Sequence, residues 1–143
     1  MSSVFLFVKP THHEFCTRLE YNLDWTYSEA GLKYFQKRVT SDSAIVLVAE
    51  VEGNVVGYIL AFINSYTFRK VNPIAEVENM FIDEEYRRSG IGSKLMAELK
   101  KIAKERGVRR LKVEAVAQNA KAINFYRSCG FETFETILEM KLD

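Results

Sequence analysis

IAEVENMFIDEEYRRSGIGSKLMAELKKIAKER, residues Ile74 to Arg106, changes its period part-way along. Ile74 to Ile82 is rich in apolar and β-favouring side chains and is predicted to be a strand, closed by the polar corner Asp83-Glu84-Glu85. From Gly90 onward Ile91, Leu95, Met96, Leu99, Ile102 and Ala103 recur at helical spacing, which gives a helix with one apolar stripe. The join, Arg87-Arg88-Ser89-Gly90-Ile91-Gly92, is basic and short of side-chain bulk. A helix start leaves several N–H groups unpaired and carries partial positive charge, so arginines and glycines there build a cradle for an anion, above all a phosphate. Two other nucleotide sites that use the same residue types fail on spacing. A Rossmann turn needs a third glycine where Leu95 stands, and a P-loop needs a glycine directly before its lysine, where Ser93 precedes Lys94.

Outward from this unit the chain reads as one domain over residues 1–143. Upstream, Val4 to Val8 is expected as a first strand and Thr11 as the cap of a helix over 12–22. Ser28 and Glu29 open a second helix to about Val39, with Leu32, Phe35 and Val39 on its apolar side. Trp25 and Tyr27, just before it, suit packing in the core or at an interface. Ala44 to Glu50 and Asn54 to Asn64 flank Glu52-Gly53-Asn54 and form a hairpin, with Gly57 marking a bulge or a close approach. Ser65 to Asn72 is a polar loop leading to Pro73. Downstream, Gly107 stops the long helix and Arg110 to Val116 is a strand parallel to the central one through a right-handed crossover. Asn119 caps a short helix that stops at Gly130, and Phe131 to Phe134 with Thr136 to Leu142 are expected to close the sheet as an antiparallel pair.

Composition narrows the function classes. Twenty Lys plus Arg against nineteen Asp plus Glu leave +1, so no overall field draws the chain to nucleic acid or a membrane, and any anion site is local. Cys16 and Cys129 make no CxxC and the adjacent His12 and His13 diverge on a helix, so no metal centre and no disulfide are expected. Val4 to Val8 lacks a basic leader and is too short to span a bilayer, which predicts a cytoplasmic protein.

Arg87-x-x-Gly90-x-Gly92, between an apolar strand and an amphipathic helix, resembles the acyl-CoA pyrophosphate loop of the GCN5-related N-acetyltransferase (GNAT) superfamily, Arg/Gln-x-x-Gly-x-Gly/Ala. Asn119 to Phe131 resembles that family's second signature, Asn-x-x-Ala-x-x-Phe-Tyr-x-x-x-Gly-Phe. The resemblance implies an α/β (α+β) domain with a central mixed, mostly antiparallel, splayed sheet of about six or seven strands and about four helices on its two faces. It implies acetyl-CoA as acetyl donor and direct transfer to a primary amine. That amine is a small polyamine or amino sugar, or a protein N-terminus or lysine. A non-catalytic acyl-CoA sensor or scaffold is the alternative. Many family members are homodimers, for which Phe131, Phe134 and Ile137 offer an interface.

The same resemblance places the cofactor. The backbone of Met80 and Ile82 pairs with the pantetheine arm, and amides from Ile82 through Gly92, including Ser89, Gly90 and Ile91, take the pyrophosphate. Arg87, Arg88 and Ser93 are the side chains for direct phosphate contact, since guanidinium forks match phosphate oxygens. Arg127 either meets the outer phosphates or is a surface charge. Asn119 suits both a helix cap and a pantetheine contact. An amine arrives as an ammonium near pKa 10 and needs a base. Glu78 is the first choice and Glu76 the second, and a bulge near Asn79 decides which points inward. The N–H of Met80 or Phe81 stabilises the oxyanion. Tyr126 matches the tyrosine that faces the sulfur, and because full proton transfer from a phenol to a thiolate is uphill by about 2 kcal/mol, it is expected to act first as a hydrogen-bond donor. Glu76, Glu78, Asp83, Glu84 and Glu85 near the mouth favour a cationic acceptor.

Overall fold

The computed structural model describes residues 24–143; the expected strand Val4 to Val8 and the helix over 12–22, with His12, His13 and Cys16, lie outside the described residues. Helix α1, Glu29–Val39, starts where expected because the Ser28 hydroxyl accepts from the Gly31 N–H at 3.1 Å. Its inward side differs from expectation: Gly31 and Phe35 are buried, whereas Leu32 is exposed. Tyr34 packs edge-on against Trp25 and Phe35 packs tilted against it, so the first of the two paired aromatics anchors α1.

Strands β1 (Ala44–Val51) and β2 (Asn54–Asn64) form the expected hairpin. Glu52 and Gly53 both sit at positive φ, 50° and 81°, the conformation whose twist matches that of paired strands. β3 is Ile74–Ile82, helix α2 is Ile91–Glu105, β4 is Arg110–Val113 and helix α3 is Ala120–Ser128. The described sheet runs in the order β1-β2-β3-β4, antiparallel except for the β3–β4 pair, which is parallel across α2. The class is the mixed, mostly antiparallel one that the resemblance implies. Two counts differ: four strands are described rather than six or seven, and three α-helices rather than four.

The α2 stripe works as read. Leu95, Met96, Leu99 and Ala103 are buried against Ile45, Ile59, Ala61, Ala75 and Val77 on one face of the sheet, with Phe125 and Tyr126 of α3 packed against the same cluster. Both faces of β2 are covered, so Tyr58 and Leu60, alternating with Ile59 and Ala61, are buried as well. Gly57 fulfils both of its expectations. The β1–β2 register slips between Ala49 and Glu50, and a Cβ on Gly57 would lie 2.9 Å from the Phe81 carbonyl oxygen and 2.7 Å from Ile82 Cδ1. Gly57→Ala is therefore expected to push β2 from β3 and to cost about 1–3 kcal/mol, read from the urea midpoint; an unchanged midpoint would show that the ladder gives way freely.

The C-terminal expectation is overturned. Residues 131–143 contain no strand. Phe131 packs on the core, Phe134 lies between the guanidiniums of Arg69 and Arg110 at 4.7 and 5.8 Å, and Glu135 pairs with Arg69 at 3.4 Å. Beyond that point Leu138 and Leu142 are 89% and 84% exposed. An apolar pattern alone makes no ladder; a strand needs a partner that covers one face, and none of the described residues supplies it. β4 likewise stops at Val113 rather than Val116, for a reason that belongs to the site.

Candidate active site

The ladder between β3 and β4 ends at the pair Val77↔Val113. The next residue on β3, Glu78, is the extra residue of a bulge, since Leu60 faces Asn79 while Ala61 faces Val77. The bulge bends β3, which continues to Ile82 paired, among the described residues, with β2 alone, and the parallel partners part. Backbone groups of the Glu78–Ile82 half are thereby left without a strand on the β4 side, a slot for an extended chain bearing amides.

At the end of that slot lies the basic turn. Gly90, at φ 85°, is the N-cap of α2 and supplies no side-chain cap, so the N–H groups of the first turn stay open. Arg88 is also left-handed, at φ 61°. Arg87 donates from Nε to the Ile82 carbonyl at 2.9 Å, and the Ser89 hydroxyl donates to the Tyr86 carbonyl. Arg87 and Ser89 thus hold the turn's shape, while Arg88 and Ser93 are exposed beside the open amides. Gly92 is where the two sequence signatures meet: a Cβ there would be 3.3 Å from both Met80 Cε and Phe125 Cε2, so β3, α2 and α3 approach closely at this point and a larger side chain would have to push Met80 or Phe125 aside. Asn119 caps α3, its Oδ1 accepting from the Ala122 N–H at 3.1 Å. Arg127 is exposed on α3.

Tyr126 stacks edge-on against Phe125 and Phe131, with centroids at 5.5 and 5.7 Å. Burial, reinforced by Cys129, pushes its hydroxyl pKa above the ordinary tyrosine value, so it stays protonated as a donor through neutral pH. On the opposite face of β3, Glu78 is only 15% exposed. Arg38 Nη2 donates to Glu78 Oε1 at 2.7 Å, the Tyr34 hydroxyl donates to Glu78 Oε2 at 3.4 Å, and Arg38 Nε donates to the Tyr34 hydroxyl at 3.3 Å. Burial raises the Glu78 pKa above the usual carboxylate value; Arg38 and Tyr34 draw it down and Glu76 adds to the rise. Glu76 lies 3.8 Å from Lys112. The expected acidic mouth is thus more balanced than the sequence suggests, because both strand glutamates face a cation and Asp83, Glu84 and Glu85 lie beyond the end of β3.

The Acetyltransferase (GNAT) family model matches residues 9–131. The chain belongs to the GNAT family. An uncharacterized N-acetyltransferase of Methanocaldococcus jannaschii is 32% identical over 104 residues, 73% of this chain and 46% of that protein. The N-alpha-acetyltransferase of Sulfurisphaera tokodaii is 30% identical over 110 residues, 73% of this chain and 66% of that protein. This GNAT chain therefore spans from about half to about two thirds of the length of these relatives. Among solved structures, aminoglycoside N-acetyltransferase AAC(6')-Iy in complex with CoA superposes with a TM-score of 0.71 at 20% identity, covering 94% of this chain and 91% of the other, which shows the shared GNAT fold.

Of the residues singled out in the sequence, Met80 and Gly92 meet Phe125, the neighbour of Tyr126 on α3, while Asn119 caps that helix. Tyr34, Lys37, Arg38 and Phe62 were missed. Tyr34 and Arg38 stand at i and i+4 and so share one side of α1, a signal that the apolar reading of Leu32, Phe35 and Val39 passed over.

Proposed function

We propose that the chain is a single acetyl-CoA-dependent N-acetyltransferase domain over residues 1–143, which passes the acetyl group directly to a primary amine. The amine is of the small polyamine or amino-sugar type, or is a protein N-terminus or lysine. The observation that carries this reading is the junction at Gly92, which sets an open helix mouth at the end of an unpaired strand edge and docks the Tyr126 helix on both. These residues fit the donor: first-turn amides with Arg88 and Ser93 suit the pyrophosphate, the free edge of Met80 to Ile82 suits the pantetheine amides, and Asn119 and Arg127 lie on the helix beside them. When bound, acetyl-CoA supplies a thioester-activated acetyl group.

The chain's own part has three steps. Glu78, with Glu76 second, takes the proton that an ammonium must lose before it can attack. A backbone N–H of Met80 or Phe81 donates to the carbonyl oxygen as negative charge grows there. Tyr126 donates to the departing sulfur. Its raised pKa makes it a hydrogen-bond donor rather than an acid. Tyr126→Phe is expected to lower kcat about 10²-fold with the KM for acetyl-CoA within about threefold; unchanged turnover would remove Tyr126 from the chemistry.

Thiol release from acetyl-CoA with a panel of amines, beside calorimetric titration of CoA, tests the whole. CoA binding without release for any amine would favour the sensor. A homodimer in the cytoplasm completes the proposal; the exposed Phe134 and Ile137 support the dimer, whereas Phe131 packs on the core and is not available to it.

A further inference from the structure

The last turn of α1 carries charge that the reaction just described does not use. Arg38 is held on three sides: by Glu78 at 2.7 Å, by the Tyr34 hydroxyl at 3.3 Å, and by the Phe62 ring, whose centroid is 4.0 Å from its Cζ. A guanidinium has five N–H donors, and those at Nη1 reach no acceptor among the described residues. Arg38, 28% exposed, and Lys37 line a cleft of about 220 Å³ with Tyr34, Ser41 and Phe62. A base for a purely cationic amine is poorly served here, because Arg38 competes for the Glu78 oxygens and a second cation stands at the same mouth. A planar fork with donors to spare, fixed by an aromatic face and a carboxylate, is built to take a carboxylate.

We propose that Arg38, with Lys37 beside it, holds a carboxylate on the acceptor, so that the acceptor is a free amino acid whose amine is presented to Glu78. A polyamine, an amino sugar and a lysine side chain in a peptide lack that group and offer no anion to Lys37 or to the open Nη1 side of Arg38. The inference rests on the transferase reading above and narrows it to one class of amine. Arg38 is then a specificity-determining residue that binds substrate, and its pairing with Glu78 sets amine and carboxylate at a fixed separation.

The test compares molecules that differ only in the carboxylate. Thiol release is measured with a panel of free amino acids including lysine and ornithine, with the corresponding carboxamides, and with cadaverine and putrescine. The best free acid is expected to exceed its carboxamide and its decarboxylated diamine by about tenfold or more in kcat/KM. Arg38→Met is expected to shrink that preference to within about twofold while leaving the KM for acetyl-CoA unchanged, and Arg38→Lys to keep part of it. Equal use of acid and carboxamide by the unaltered protein overturns the inference alone, with no variant needed. Absence of turnover with every amine, despite CoA binding, overturns the transferase reading and the inference together. A preference that survives intact in a folded Arg38→Met protein also overturns it.

Discussion

Glu78→Gln is expected to lower kcat/KM for the amine by about 10²- to 10⁴-fold while CoA still binds, because the substitution keeps the shape of the side chain but removes the charge that takes a proton and pairs with Arg38. The bulge explains why this residue, and not another on the strand, is singled out. It places Glu78 where β3 leaves β4, with one carboxylate oxygen toward Arg38 and the other toward Tyr34. Its pH dependence follows from the same contacts. Burial raises the pKa, and a base must be ionised to act, so with Glu78 as base the acid limb of kcat/KM in the unaltered protein is expected above the ordinary carboxylate range. Arg38→Met takes away an influence that draws the pKa down, and moves that limb further up. Stability runs the opposite way: between the ordinary pKa and the raised one the folded chain holds a proton that the unfolded chain has released, so stability declines as pH climbs through that window. A Glu78→Gln protein that retains more than about a tenth of the activity would transfer the role of base to Glu76 or to water.

Leu99→Ala is expected to cost about 3–5 kcal/mol, the largest stability loss of any single change considered. Leu99 is 0% exposed at the middle of the α2 stripe, and its removal leaves a void against strands that the rest of the sheet holds in place. In a chain of this size the melting temperature is expected to fall by about 10 °C. Below the transition CoA affinity should be retained, since the helix mouth lies two turns away. A fall under about 2 °C would mean that α2 closes over the gap, and that the stripe fixes the crossover less firmly than its burial indicates.

Much of this was legible in the residues. Ile74 to Ile82, the basic turn, the α2 stripe from Leu95 to Ala103, and the caps Ser28, Asn119 and Gly130 each depend on interactions within a few positions of chain, and each stands where local periodicity and capping chemistry put it. The closing strands did not follow, because Thr136 to Leu142 carries strand-like residues but pairing is not a local property.

What the sequence by itself determined is the basic turn, its strand and helix, and the candidate base and donor, since an open helix start and a residue's chemistry travel with the local chain. Only the tertiary structure decided which glutamate stands at the parting of β3 and β4, and which cation faces it. Glu78 owes its place to a one-residue slip against β2, and Arg38 reaches it from 40 positions away, a closeness set by how α1 lies across the sheet.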